Sequence, residues 1–153
     1  MTQQNKKTGS AKARNSAARL LAVQAVYQMH KNEQSAGAVI KEYLEHRTGV
    51  DIDGDEMISP DQDHFTAVVR GVEENIDQLG DMVAKNRGKE SGDTEPLLKA
   101  IFLCGSFELM VLQAIDSPII ISDYLHVAHA FYDKGEGKLV NALLDSIRKT
   151  VRN

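Results

Sequence analysis

The sequence predicts an all-α protein. Apolar residues recur three and four positions apart along most of the 153-residue chain, the spacing of helices that bury one face. Capping residues, prolines and glycines stand at the borders of those stretches. Ile119–Ile121 is the one short run suited to a strand, and nothing else pairs with it. At this length one domain with a real core is the simplest organisation. Trp is absent and aromatics make up only 5%, so that core must be mostly aliphatic.

Residues 1–13 are polar, too poor in apolar surface to fold alone, and read as a flexible basic arm. A helix is expected to start near Asn15 or Ser16, with Leu20, Val23, Val26 and Tyr27 on its apolar face. Gln34–Arg47 repeats the pattern with Val39, Ile40, Tyr43 and Leu44, and Gly49 ends it. The acidic, turn-rich segment 49–63 reads as a surface loop. Asp61 opens a long helical pattern through Phe65, Val68, Val72, Ile76, Leu79 and Val83. Gly71 inside it costs about 1 kcal/mol relative to Ala, so packing must support it. A loop at 86–93 follows. Thr94 can cap the next helix, with Pro96 in its first turn. That helix, through Leu112, is apolar over much of its circumference and is the candidate central element. Pro118 and Ile119–Ile121 read as an extended connector, Ser122–Tyr132 as a helix, and Gly135-Glu-Gly137 as a turn. A last helix, Lys138–Val151, carries Arg148, Lys149 and Arg152 at its end, where cations complement the helix dipole.

No apolar run approaches the ~20 residues of a membrane span, and the N-terminus lacks a signal-peptide shape. A cytoplasmic protein with no membrane role is expected. The single cysteine, Cys104, excludes an internal disulfide framework.

Charge is distributed very unevenly. No acid precedes Glu33, whereas Lys6, Lys7, Lys12, Arg14, Arg19 and Lys31 do. The chain has 18 bases and 22 acids, so the remainder holds 12 bases against 22 acids. One end attracts polyanions while the body stays soluble. Spaced cations on an arm can neutralise phosphates, and Tyr27 could stack an unpaired base, pointing to RNA. Charge alone leaves open a merely solubilising tail with Tyr27 in the core.

Other motifs favour plain structural readings. Asp51-Ile-Asp53-Gly-Asp55 lacks the Gly and Glu positions of a calcium loop. Gly135-Glu-Gly137-Lys138 lacks the framing of a P-loop. His126 and His129 have no third ligand, Cys104 has no base, and Glu73 and Glu74 point apart. No catalytic constellation, metal site or cofactor is expected.

The segment RLLAVQAVYQ (19–28) resembles the opening helix of the bacterial transcription antitermination protein family NusB. Further segments follow in order: RGVEENIDQLGDMV (70–83), LLKAIFLCGSFELM (97–110) and ISDYLHVAHAFYDKGEGKLVNALLD (121–145). The resemblance implies about seven helices in two small packed bundles, about 14–87 and 94–153, forming one RNA-binding domain. It implies binding to boxA-like single-stranded RNA in nascent ribosomal RNA transcripts. Its partners would be the ribosomal protein NusE and an RNA polymerase antitermination complex, without catalysis. Carried over by position, Lys12, Arg14, Arg19, Tyr27, Lys138 and Asn141 fall on the RNA surface. Leu98, Leu103 and Glu108 fall on the partner surface, although Glu108 also admits a structural role. The family's arginine run is thinned here, which implies fewer phosphate contacts and a smaller salt slope. The alternative is a non-catalytic interaction protein or homodimer of the same fold with weak or masked RNA binding. Similar domains also front ribosomal RNA cytosine methyltransferases, but no Gly-rich cofactor unit follows here.

Overall fold

The computed structural model describes residues 8–46, 50–52, 56–88 and 93–152. Lys6, Lys7, Asp53 and Gly54 therefore lie outside the described residues, as does most of the arm. Seven helices are seen among the described residues: α1 Ala11–Asn32, α2 Ala36–His46, α3 Gln62–Glu74, α4 Ile76–Arg87, α5 Pro96–Val111, α6 Ser117–Phe131 and α7 Lys134–Val151. A short antiparallel ribbon, β1 Val50–Ile52 and β2 Glu56–Ile58, pairs Val50 with Ile58 and Ile52 with Glu56.

The all-α expectation is met, with differences at several borders. α1 starts at Ala11, because the Ser10 hydroxyl accepts from the Ala13 amide at 3.1 Å and caps it. The helix ends on Glu33 in the left-handed region, φ 53°. The expected loop at 49–63 contains the ribbon. Three-residue strands are marginal alone, and this pair is fastened to the chain's front. Ser59 N–H donates to Thr8 O at 3.0 Å, and the Arg14 guanidinium donates to Ser59 O at 3.0 Å.

The long helix expected from Asp61 to Val83 is two. Both the backbone N–H and the side-chain amide of Asn75 donate to Gly71 O, at 3.0 and 2.8 Å. A local side chain competing for a helical carbonyl breaks the ladder, and α4 restarts at Ile76. The Ile119–Ile121 connector is also helical. Pro118 sits in the first turn of α6, where its missing N–H costs nothing. Ile120 is buried while Ile119 is 47% exposed, as a helical face requires. The Gly135-Glu-Gly137 turn is the first turn of α7. A Cβ at Gly137 would come within 2.6 Å of His129 Nε2, so this glycine admits α6 rather than making a turn.

α5 is the central element. It packs against α1, α3, α4, α6 and α7, and Leu98 and Ala100 through Leu109 are all buried. Cys104 is fully buried there, and burial pushes its thiol well up. It is a core thiol. No helix is long and apolar enough to cross a membrane among the described residues.

Arg152 finishes the bundle. It was expected to complement the dipole of its own helix. Instead its guanidinium donates to Leu109 O (2.8 Å), Ile115 O (2.7 Å), Ser117 Oγ (3.0 Å), Glu108 O (3.2 Å) and Leu112 O (3.0 Å). These contacts match the five donors an arginine has and close the carbonyl end of α5. Arg152→Ala is expected to lower stability by about 2 kcal/mol, since hydrogen bonds from a charged group are lost. Arg152→Lys should recover less than half, because an ammonium cannot reproduce the fork. Urea unfolding midpoints check both.

Candidate nucleic-acid interface

α1 places Arg19 on the face that packs against α5, with 2% of its side chain exposed. Its Nη2 donates to Glu108 Oε1 at 2.9 Å and its Nε to Glu108 Oε2 at 3.0 Å, a bidentate fork. Its Nη1 donates to Asp123 Oδ2 at 2.6 Å. Glu108 is fully buried. Its carboxylate also accepts from the Tyr124 hydroxyl at 2.5 Å, and His64 Nε2 lies 3.1 Å away. Ser16 donates to the same Asp123 oxygen at 2.9 Å. One polar cluster thus joins α1, α3, α5 and α6 through the core.

The surroundings keep Arg19 and Glu108 ionised. Burial alone would favour a neutral guanidinium, but the Glu108 hydrogen bond and charge outweigh it and raise the Arg19 pKa. Burial likewise pushes the Glu108 carboxyl up, and His64 and Arg19 together bring it below its usual 4.5. A depressed folded-state pKa gives stability that is present above the unfolded value and lost as pH falls through the folded one. The thermal midpoint should therefore fall as pH drops below 4.5. Glu108→Gln should be less stable at neutral pH and flatter across that window. Equal slopes in the two proteins would remove Glu108 from the acid transition.

This geometry corrects four assignments. Arg19 cannot meet an RNA phosphate, because its guanidinium is committed to two carboxylates under the surface. Glu108, Leu98 (7% exposed) and Leu103 (fully buried) cannot meet a partner protein. The outward residues of α5 instead include the half-buried Leu97 and the exposed Lys99 near its start. Lys99 is the only charge between Glu95 and Glu108, and that isolated polar position was the available signal.

The remaining cationic and stacking candidates reach solvent, but not at one point. Lys12 is exposed on the first turn of α1. Arg14 is half-buried, holding Ser59 O and Pro60 O. Tyr27 is half-buried in a groove of about 350 Å³ beside Leu97 and Phe131, which is 40% exposed. At 1.5 Å per residue it stands about 20 Å along α1 from Arg14. Lys138 and Asn141 are exposed on α7, and Asn141 lines a separate groove with Ile121 and Arg148.

The sequence pattern of the NusB family matches residues 16–149. The chain belongs to the NusB family. Transcription antitermination protein NusB of Rhizobium rhizogenes is 34% identical over 152 residues, covering 98% of this chain and 95% of the relative. NusB of Bartonella henselae is 38% identical over 138 residues, covering 89% and 87%. Among solved structures, T. maritima NusB superposes with a TM-score of 0.73 at 19% identity, covering 93% of each chain. A chain from a complex of the antitermination factors NusB and NusE with double-stranded RNA gives a TM-score of 0.75 at 20% identity, covering 92% and 99%. The NusB fold is therefore shared, and the Arg19–Glu108–Asp123 cluster is a feature of its interior in this member. Sequence reasoning missed His64 and Ser16 as members, since no local pattern links positions this far apart.

Proposed function

We propose that this chain is an RNA-binding transcription antitermination factor. It binds boxA-like single-stranded RNA in nascent ribosomal RNA transcripts together with NusE. It works within an RNA polymerase antitermination complex, in the cytoplasm and without catalysis. Residues 14–153 serve as one RNA-binding domain behind the basic arm. Family membership supports this reading, as do the NusE and RNA held by a solved NusB of the same fold. The observation that carries it is the acid-free front of the chain. Lys12 is exposed there, and Arg14 and Tyr27 are part-exposed on the same helix. Lys138 and Asn141 extend the proposed surface, and Leu97 replaces the buried residues of α5 as the candidate for the partner.

The test is a titration with a boxA-like single strand and its duplex, alone and with NusE, at two salt concentrations. Lys12→Gln is expected to reduce the salt slope by about 0.7. Tyr27→Ala is expected to cost about 1–3 kcal/mol of binding through lost stacking. A double variant with unchanged helicity and wild-type affinity would remove these two residues from the site.

One observation favours a second reading, a homodimer or interaction protein with weak RNA binding. Burial of Arg19 leaves the thinned cationic set smaller still. Light scattering with and without RNA separates the two, because a masked dimer dissociates or fails to bind.

A further inference from the structure

We propose that the cleft between the C-terminal end of α1, α4 and the N-terminal end of α5 is a second phosphate track, which takes the backbone of the same RNA strand. The inference rests on the RNA-binding reading above and extends it to a surface that reading does not use. The cleft has a volume of about 680 Å³. Among the described residues, Lys31, Arg87 and Lys99 line it together with His30, against a single acid, Asp93. Among the described residues, none of the three permanent cations is in an ion pair. The body of this protein is acidic, so unneutralised cations drawn from three helices into one concave surface form a local exception. Such a surface attracts polyanions and gains affinity by releasing their counterions.

Two features make this more than a chance cluster of flexible side chains. The Arg87 guanidinium carbon lies 5.9 Å from the centroid of the Phe102 ring, which is fully buried. That cation–π contact restrains the guanidinium at the cleft wall. The cleft also adjoins the Tyr27 groove, because Lys31 lines both. Lys31 follows Tyr27 by four residues and so shares its helix face. A base stacked on Tyr27 would leave its phosphate next to Lys31, with Lys99 and Arg87 beyond.

The geometry also says how the ligand is held. The α5 first-turn amides of Leu97 and Leu98 already donate to the Glu95 carboxylate, at 3.2 and 3.1 Å. Side chains rather than a helix N-terminus must therefore supply the contacts. Partial desolvation and, after it, the neighbouring Lys99 charge lower the His30 pKa. His30 is thus a built-in reporter.

The experiment compares the full chain with its Lys31→Gln/Lys99→Gln variant. Both residues are exposed, and glutamine is a good helix former. Each is titrated with a boxA-like single strand long enough to span α1. Two lost contacts should reduce the salt slope by about 1.4, and affinity should fall about 15-fold at about 0.15 M salt. The His30 imidazole resonances of the wild type should move on RNA addition and stay still in the variant. Wild-type affinity in the variant, beside wild-type RNA binding, overturns the second track and leaves the first intact. No RNA binding by the wild type, with or without NusE, overturns both. If pyrophosphate moves the His30 resonances while RNA does not, the occupant is a small phosphate ligand and the RNA track is wrong. If the variant loses NusE and keeps RNA, the cleft is a protein contact and the proposal falls.

Discussion

Replacing Arg19 by alanine is expected to lower the unfolding free energy by about 3–5 kcal/mol, the largest single effect foreseen for this chain. The substitution leaves the Glu108 carboxylate fully buried with its bidentate partner gone, and strips Asp123 of its 2.6 Å donor. An uncompensated buried charge costs more than the pair itself contributes, so the loss should exceed that of an ordinary surface arginine. Burial of the cluster also predicts a signature in combination. Arg19→Met with Glu108→Leu removes both charges and should be far closer to wild type than either single change, as replaced buried ion pairs often are. Tyr124 loses its acceptor in that double variant, and His64 loses the carboxylate beside it, which sets how incomplete the recovery is. Guanidinium unfolding of the four proteins gives the coupling energy. If Arg19→Ala unfolds at the wild-type midpoint and has lost RNA affinity, the guanidinium faces the ligand and the buried cluster is not its role.

The same cluster marks where sequence reading succeeded and where it stopped. Helix periodicity is a local signal, so six helical stretches, one of them covering both α3 and α4, and the identity of α5 as the buried centre were legible in the spacing of their apolar residues. Borders failed where a tertiary contact decided them. Gly137 looks like a turn residue until His129 is seen against it, and Pro118 ends a helix or starts one depending on what Ile120 packs on. The ribbon was missed because its strands depend on Thr8 and Ser59, fifty-one positions apart. Site residues suffered most. An arginine within a basic front end reads as a phosphate ligand, but Arg19 alone among the described cations of α1 is buried. Its acid partners lie 89 and 104 residues away, beyond any local pattern. Positional transfer from a family carries the fold's interior and its surface with equal weight. Burial separates them, moving Arg19, Glu108, Leu98 and Leu103 inward and leaving Lys12, Lys138 and Asn141 outside.

The second large effect is expected from one methyl group. Gly71→Ala should destabilise the protein by about 3 kcal/mol, at the upper end for overpacking. On helix propensity alone the change should stabilise by about 1 kcal/mol, so the sign itself is the test. A Cβ at Gly71 would stand 2.1 and 2.2 Å from two ring atoms of Phe107. Phe107 is 4% exposed within the α5 core, where close packing leaves its ring little room to retreat. Either the ring leaves its rotamer or α3 moves away from α5. The second outcome would carry His64 with it, because His64 and Gly71 share that helix, and would disturb the Glu108 cluster. Gly71→Ala should therefore lower the urea midpoint and also weaken the response of stability to acid. Truncating the obstacle supplies the control: Phe107→Leu costs stability by itself through lost volume, yet Gly71→Ala added to it should cost much less than in the wild type. Additive losses would mean that the ring is not what excludes the methyl group. A more stable Gly71→Ala would mean that α3 and α5 do not approach this closely in solution.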